Sequence, residues 1–345
     1  MLIKVIDPGI QTMFFSAIFL GMLLLSIRIN KTSDFFSKET TNQLKGVAIF
    51  TVIFAHIGYF LSADTRFLYP FSVAGGVGVN IFLFLSGFGL TVSQISNSLP
   101  IFSFYKKRLL RLFFPLWIVI SALFLLDFLI LHRTYPTNEI IASYIGFFPG
   151  SDVFINIDSP LWYITIILFY YFVFPLTFIK RFPLLSPILV LLASLFILNM
   201  SLPVNEDTLK LYKLHTLAFP AGILFGLFYQ KIKINFNKYI KFGIIIISFL
   251  VFLYTSINSG IGEDPKIEQS ISLLTTLSLM IFFSLIKFNF KLLSIFGILS
   301  YEIYLIHWPI LSRFNLFSSL PPLLMVSLNL LLLSALGYGL QKLKR

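Results

Sequence analysis

Eleven apolar runs of about twenty residues each dominate this chain, at approximately 9–28, 44–62, 76–96, 109–131, 160–179, 184–202, 214–230, 239–257, 269–287, 292–312 and 321–341. A run of that length crosses roughly 30 Å of hydrocarbon as an α-helix. Lipid offers the backbone no hydrogen-bond partners, so a spanning segment has to be a helix or part of a closed barrel. Charged residues make up only 12% of the 345, against about 25% in a soluble domain, and the mean hydropathy is +0.91. The sequence therefore predicts an all-α, polytopic transmembrane helix bundle of about eleven spans. Gly, Ser and polar residues inside the third and tenth runs predict interruptions there. The first run has no small-residue cleavage site and is read as a retained span rather than a signal peptide.

The net charge of +12 would suit nucleic acid if it were gathered on one face. It is instead divided among the connections between runs. Alternate connections hold Arg28, Lys31, Lys38 and Lys45; Lys106, Lys107, Arg108 and Arg111; Lys180 and Arg181; Lys231, Lys233, Lys238 and Lys241; Lys287 and Lys291; and Lys342, Lys344 and Arg345. Those are 19 of the 26 basic residues. Most acids fall in the other set, including Asp64, Glu139, Asp152, Asp158, Glu206, Asp207, Glu263 and Asp264. By the positive-inside rule the C-terminus is cytoplasmic and the short N-terminus external, as expected of a multi-pass cell-membrane protein. Nucleic acid is not an expected partner, membrane lipid is, and the oligomeric state is left open. The longest connection, about 132–159, is external and long enough to be a functional loop.

With no cysteine, disulfides, thiolate metal sites and a cysteine nucleophile are excluded. No metal site is expected. Gly75-Gly-Val-Gly78 followed by Ser86-Gly87-Phe-Gly89 reads as small-residue helix packing, and no Lys-Ser ending makes it a phosphate loop.

Ionisable groups inside spans cost a few kcal/mol each and are functional candidates by default. Lys45 and His56 are eleven residues apart, within roughly 20° of three full turns, so they share a helix face about 16 Å apart along the axis. A snorkelling lysine and a histidine hydrogen-bonded between helices would fit the same spacing. Arg108 and Arg111, three apart, are neighbours on one face and together suit a phosphate-rich ligand. An ordinary topogenic or headgroup cluster is the other reading. Glu302 is the one acid well inside a run, since Asp127 falls near the end of its own. Glu302 and His307 are about 140° apart around the helix, so they do not stack but could line one polar cavity. His132 and His215 lie near span ends and read as structural.

The stretches LKGVAIFTVIFAH (44–56), GGVGVNIFLFLSGFGLT (75–91), FYKKRLLRLFFPLW (104–117), PLWYITIILFYYFVFP (160–175) and LSYEIYLIHWPI (299–310), in this order, resemble the acyltransferase family 3 of membrane O-acyltransferases. The family domain has ten spans. The resemblance therefore implies an extra N-terminal helix and cytoplasmic loop over 1–42 and a membrane acyltransferase domain over 43–345. It implies transfer of an acyl group, usually acetyl, from cytoplasmic acyl-CoA to a hydroxyl of a glycan or lipid-linked glycan, with acetyl-CoA as donor substrate and no permanently bound cofactor. The family's essential basic residue and histidine fall on Lys45 and His56, and its Arg-x-x-Arg on Arg108 and Arg111. Its usual Arg is Lys at 45, which gives up bidentate phosphate binding. Its frequent Asp is Asn80, removing a carboxylate that would orient the histidine. The fifth span lacks a Glu pair present in many members, and no esterase-like domain is appended.

The expected site is then His56 as general base or acyl carrier, with Glu302 and His307 in catalytic roles. Lys45, Arg108 and Arg111 are expected to bind the donor's phosphates, and Asn80, Trp162 and Tyr163 to contact substrate. A transporter or flippase of polyprenyl-linked sugars would also suit buried charges and interrupted spans. A polysaccharide-export component is a third reading.

Overall fold

The computed structural model describes residues 2–29, 35–97, 100–152, 157–229, 237–259, 265–286 and 288–344. Lys31, Lys231, Lys233, Lys287, Arg345, Glu263 and Asp264, used above for topology, lie outside them. The chain forms α1 (Pro8–Leu25), β1 (Ile27–Ile29), α2 (Lys38–Ala55), α3 (Gly75–Asn97), α4 (Ile101–Leu131) and the short α5 (Thr137–Tyr144). It continues with α6 (Trp162–Thr177), α7 (Leu185–Leu198), α8 (Glu206–Leu214), α9 (Ala218–Phe228), α10 (Lys238–Asn258) and α11 (Pro265–Leu285). It ends with β2 (Phe288–Phe290), α12 (Lys291–Ile298), α13 (Ser300–Ser312) and α14 (Pro322–Lys342).

The fold is the expected all-α polytopic bundle. Among the described residues nine helices are long and apolar enough to cross a membrane, and α12 with α13 makes a tenth span bent by 78°. The run expected at 184–202 yields only the 14-residue α7, shorter than a full crossing. The third run differs from expectation, for α3 is one continuous helix. Its Gly87 serves close helix approach, as the small-residue packing reading expects. A Cβ at Gly87 would run into the Phe219 carbonyl of α9, and one at Gly222 into the Phe84 carbonyl of α3. The same reciprocal contact joins α2 to α12, where a Cβ at Gly46 would meet the Leu293 carbonyl and one at Gly297 the Asn42 carbonyl. In lipid, where apolar burial gives little drive for helices to associate, such small-residue contacts let backbones approach closely.

The tenth span is interrupted, as its polar content predicts. The half-helix α12 lies against α2, with Phe296 and Phe50 ring centroids 4.4 Å apart, and α13 then turns away. Two side chains fix α2 at the end that bears the clustered basic residues. Ser37 caps its first turn by accepting from Thr40 N at 3.1 Å. Gln43 donates to Asn289 Oδ1 at 2.8 Å and accepts from Phe290 N at 2.8 Å. The helix α1 packs Phe15 and Phe19 edge-on against Phe50 and Phe54 of α2. It is tied at both ends, by β1–β2 pairing (Arg28 opposite Asn289) and by Ile3 N donating to Leu61 O at 2.7 Å.

Candidate active site

At His56 the α-helical winding of α2 gives way to a π-helical turn, His56–Leu61. Such turns are rare and concentrate at functional sites. His56 Nδ1 lies 2.8 Å from the Val52 carbonyl and 3.1 Å from His307 Nε2. His307 Nδ1 lies 2.7 Å from the Tyr304 carbonyl. A carbonyl only accepts, so each Nδ1 is the protonated nitrogen; this assigns the tautomers from the hydrogen-bond network. His307 Nε2 then accepts from His56, and His56 Nε2 keeps a free, basic lone pair. His307 is wholly buried while His56 is partly exposed. The rings of His56 and His307 are 4.8 Å apart, with Trp308 5.0 Å from His56.

A cavity of about 610 Å³ opens among α2, α3, α4, α6, α13 and the end of α14, lined by Lys45, Arg108, Arg111, Glu302 and Lys344. Glu302 and Lys344 form an ion pair. No ion pair among the described residues involves Lys45, Arg108 or Arg111. Three cations thus face the cavity without an ion pair among the described residues. The first turn of α13, Ser300 to Glu302, also borders it, adding the positive end of that half-helix's dipole. A cluster of that sign and density in a cavity open on one side fits a polyanion.

The expected site residues fall into three groups. Lys45, Arg108, Arg111, Glu302 and Tyr163 line the cavity. His56 and His307 form the imidazole pair. Asn80 and Trp162 lie elsewhere: Asn80 Oδ1 accepts from His215 Nδ1 at 2.8 Å, its amide donates to Ser272 Oγ at 2.7 Å, and Trp162 stacks on the His215 ring at 5.7 Å. The position from which a carboxylate was expected to orient His56 therefore holds a different histidine. Glu302 bonds Lys344 and not an imidazole. His215 is the buried centre of its own network, whereas His132 is exposed at the C-terminus of α4.

Sequence reading passed over several contributors. Lys344 reads as one more topogenic lysine, and only the fold brings it to Glu302. Tyr304 stands in a quoted stretch, but its contacts with His307 and with the Pro160 carbonyl depend on tertiary structure. Asp127 and Arg313, on α4 and at the end of α13, pair with each other; Arg313 also donates to the Ile157 carbonyl and to Tyr135 Oη, pinning the 132–159 connection.

Together these features define a helical membrane protein with a basic cavity and an imidazole pair beside it. The chain belongs to the acyltransferase 3 family: the family model described as an acyltransferase domain matches residues 41–340. It is thus a membrane acyltransferase, and α1 precedes the matched residues. No curated protein and no solved structure matches the chain.

Proposed function

We propose that the chain moves an acetyl or other short acyl group from cytoplasmic acyl-CoA to a hydroxyl of a cell-surface glycan or lipid-linked sugar. The observation that carries this reading is the cavity, whose three unpaired cations lie at one end and whose other end approaches His307 and His56. CoA has the matching shape, with its phosphates at one end and its thioester at the other. Lys45 and His56 are separated by eleven residues of helix, about 16 Å, comparable to the pantetheine arm.

In this reading Arg108, Arg111 and Lys45 hold the phosphates, and the thioester lies at the inner end of the cavity. Tyr163 lines that end and makes no hydrogen bond among the described residues, which leaves its hydroxyl to donate to the thioester carbonyl oxygen as charge develops there. The acceptor oxygen attacks the carbonyl carbon while His56 Nε2 takes the hydroxyl proton. The C–S bond breaks, the ester C–O bond forms, and the proton passes to the departing CoA sulfur. His307 accepts from His56 Nδ1 throughout and stabilises the transient imidazolium. A route through an acyl-His56 intermediate uses the same lone pair.

The test is purified protein in nanodiscs with radiolabelled acetyl-CoA. CoA release or acyl transfer that disappears in His56→Ala is expected, and full activity of that variant would overturn the assignment. Arg108→Glu should raise the KM for acetyl-CoA at least tenfold, and an unchanged KM would remove it from the donor site. Movement of lipid-linked sugar without any acyl donor would favour the transporter reading instead.

A further inference from the structure

We infer that Phe82, Tyr163 and Tyr304 form an aromatic floor between the basic cavity and the imidazole pair, and that this floor selects donors by the length of their acyl chain. The inference rests on the proposed acyl-CoA reading of the cavity.

The argument begins with where each helix meets the cavity. Helix α3 runs towards the end that bears the basic clusters and lines the cavity through Phe82, Leu85, Ser86 and Gly89. Helix α6 runs the same way and contributes Tyr163, Ile167 and Tyr171. Helix α13 runs the opposite way and contributes Ser300, Tyr301, Glu302 and Tyr304. On each of these three helices the lining residue farthest from the basic end is aromatic, Phe82, Tyr163 and Tyr304, while α4 reaches no farther in than Leu112 and α2 contributes only Lys45. These three rings touch in series. Phe82 and Tyr163 have centroids 6.3 Å apart, and Tyr163 and Tyr304 meet edge to face at 5.5 Å.

Beyond the floor stand the histidines. The Tyr304 ring is 5.8 Å from that of His307, which is 4.8 Å from that of His56, and neither histidine lines the cavity. An acyl group carried into the cavity on CoA therefore reaches His56 only by passing between or displacing these rings. Tyr304 is held in place, since its hydroxyl donates to the Pro160 carbonyl. Tyr163 has no such anchor, so the adjustable part of the floor is the Phe82–Tyr163 contact.

An acetyl group needs a small gap, and each further methylene has to be accommodated against aromatic faces that already pack on one another. Discrimination of one methylene in an apolar pocket is on the order of 10- to 200-fold in kcat/KM. The wild-type protein is accordingly expected to prefer acetyl-CoA over butyryl-CoA by at least a hundredfold.

The experiment measures CoA release from acetyl-, propionyl-, butyryl- and hexanoyl-CoA by wild type, Phe82→Ala, Tyr163→Ala and Tyr163→Phe in nanodiscs. Wild-type turnover of acetyl-CoA tests the acyl-CoA reading on its own. The floor is tested by ratios, which do not depend on how well a variant folds. Phe82→Ala and Tyr163→Ala should raise the butyryl-to-acetyl ratio of kcat/KM at least tenfold. Tyr163→Phe keeps the ring and loses the hydroxyl, so it should slow all donors alike and leave the ratio within a factor of two. Ratios unchanged in both alanine variants, or a wild type that turns over butyryl- and acetyl-CoA equally, would overturn the inference.

Discussion

Replacing His307 with Leu tests the imidazole pair most directly. His56 Nδ1–H has two acceptors, the Val52 carbonyl at 2.8 Å and His307 Nε2 at 3.1 Å. While His56 is neutral, the Val52 carbonyl alone keeps the proton on Nδ1, so loss of His307 leaves the tautomer intact. The cost appears when His56 Nε2 takes the acceptor's proton and the ring becomes cationic. A hydrogen bond to a charged group is then worth about 1.5–3 kcal/mol, and at 1.36 kcal/mol per decade its loss lowers kcat by roughly 10- to 150-fold. In the proposed reaction donor binding falls to Lys45, Arg108 and Arg111, in a cavity that His307 does not line, so the KM for acetyl-CoA should stay within twofold. His307→Gln offers an amide oxygen to the same donor and should recover part of the loss. The assay is initial rates of CoA release in nanodiscs over a range of acetyl-CoA, with thermal unfolding as a check on folding. A kcat within threefold of wild type, or a change confined to KM, would refute the reasoning.

Glu302→Gln removes the one carboxylate among the described residues lining the basic cavity and frees Lys344. The KM for acetyl-CoA should fall, because the site then presents four uncompensated cations; a rise would mean that Glu302 contacts the donor favourably. Gly297→Ala places a methyl group against the Asn42 carbonyl of α2 and should destabilise the bundle by about 1–3 kcal/mol. Gly243→Ala, with nothing within 4 Å of the new Cβ, should be neutral or stabilise by up to about 1 kcal/mol; equal melting temperatures would discount the α2–α12 contact. Burial pushes the Asp158 carboxyl, just before α6, well above the usual carboxylate range, with Arg313 pulling it partly back. The folded state therefore favours the protonated form, and this contribution is present below about pH 4 and lost as pH rises through the folded pKa. Asp158→Asn should thus raise the melting temperature relative to wild type more at pH 8 than at pH 4.5, and a pH-independent difference would refute this.

The bundle was legible from sequence because membrane thickness sets helix length, and ten of the eleven runs end as single or bent spans at their expected places. Where the reading failed, it took the Gly, Ser and polar content of the third run for an interruption, although the same glycines read as small-residue helix packing. In lipid the missing side chain can serve backbone approach instead, and α3 stays whole while Gly87 meets α9. The tenth run contains comparable polarity and does break, because α12 lies against α2 through Gly297 before α13 departs. Composition alone does not separate these two outcomes.

The site divides the same way. Lys45, Arg108 and Arg111 were legible because an ionisable group near lipid needs a reason to be there, and helical spacing places the two arginines together. The imidazole pair joins residues 251 positions apart, and its register depends on the bend at Leu299, which no local pattern encodes. Spacing did hold one more piece of information. The offset of about 140° between Glu302 and His307 argued that they do not stack. In the fold that offset sends Glu302 into the basic cavity and His307 away from it, onto His56. One half-helix therefore presents two faces, Glu302 towards the basic cavity and His307 towards His56; in the proposed reaction the first meets the donor's phosphates and the second handles the acceptor's proton. Tyr304, two residues after Glu302 and three before His307, lies on the boundary between them: its ring closes the cavity, and its carbonyl holds the His307 proton that leaves Nε2 free to accept from His56.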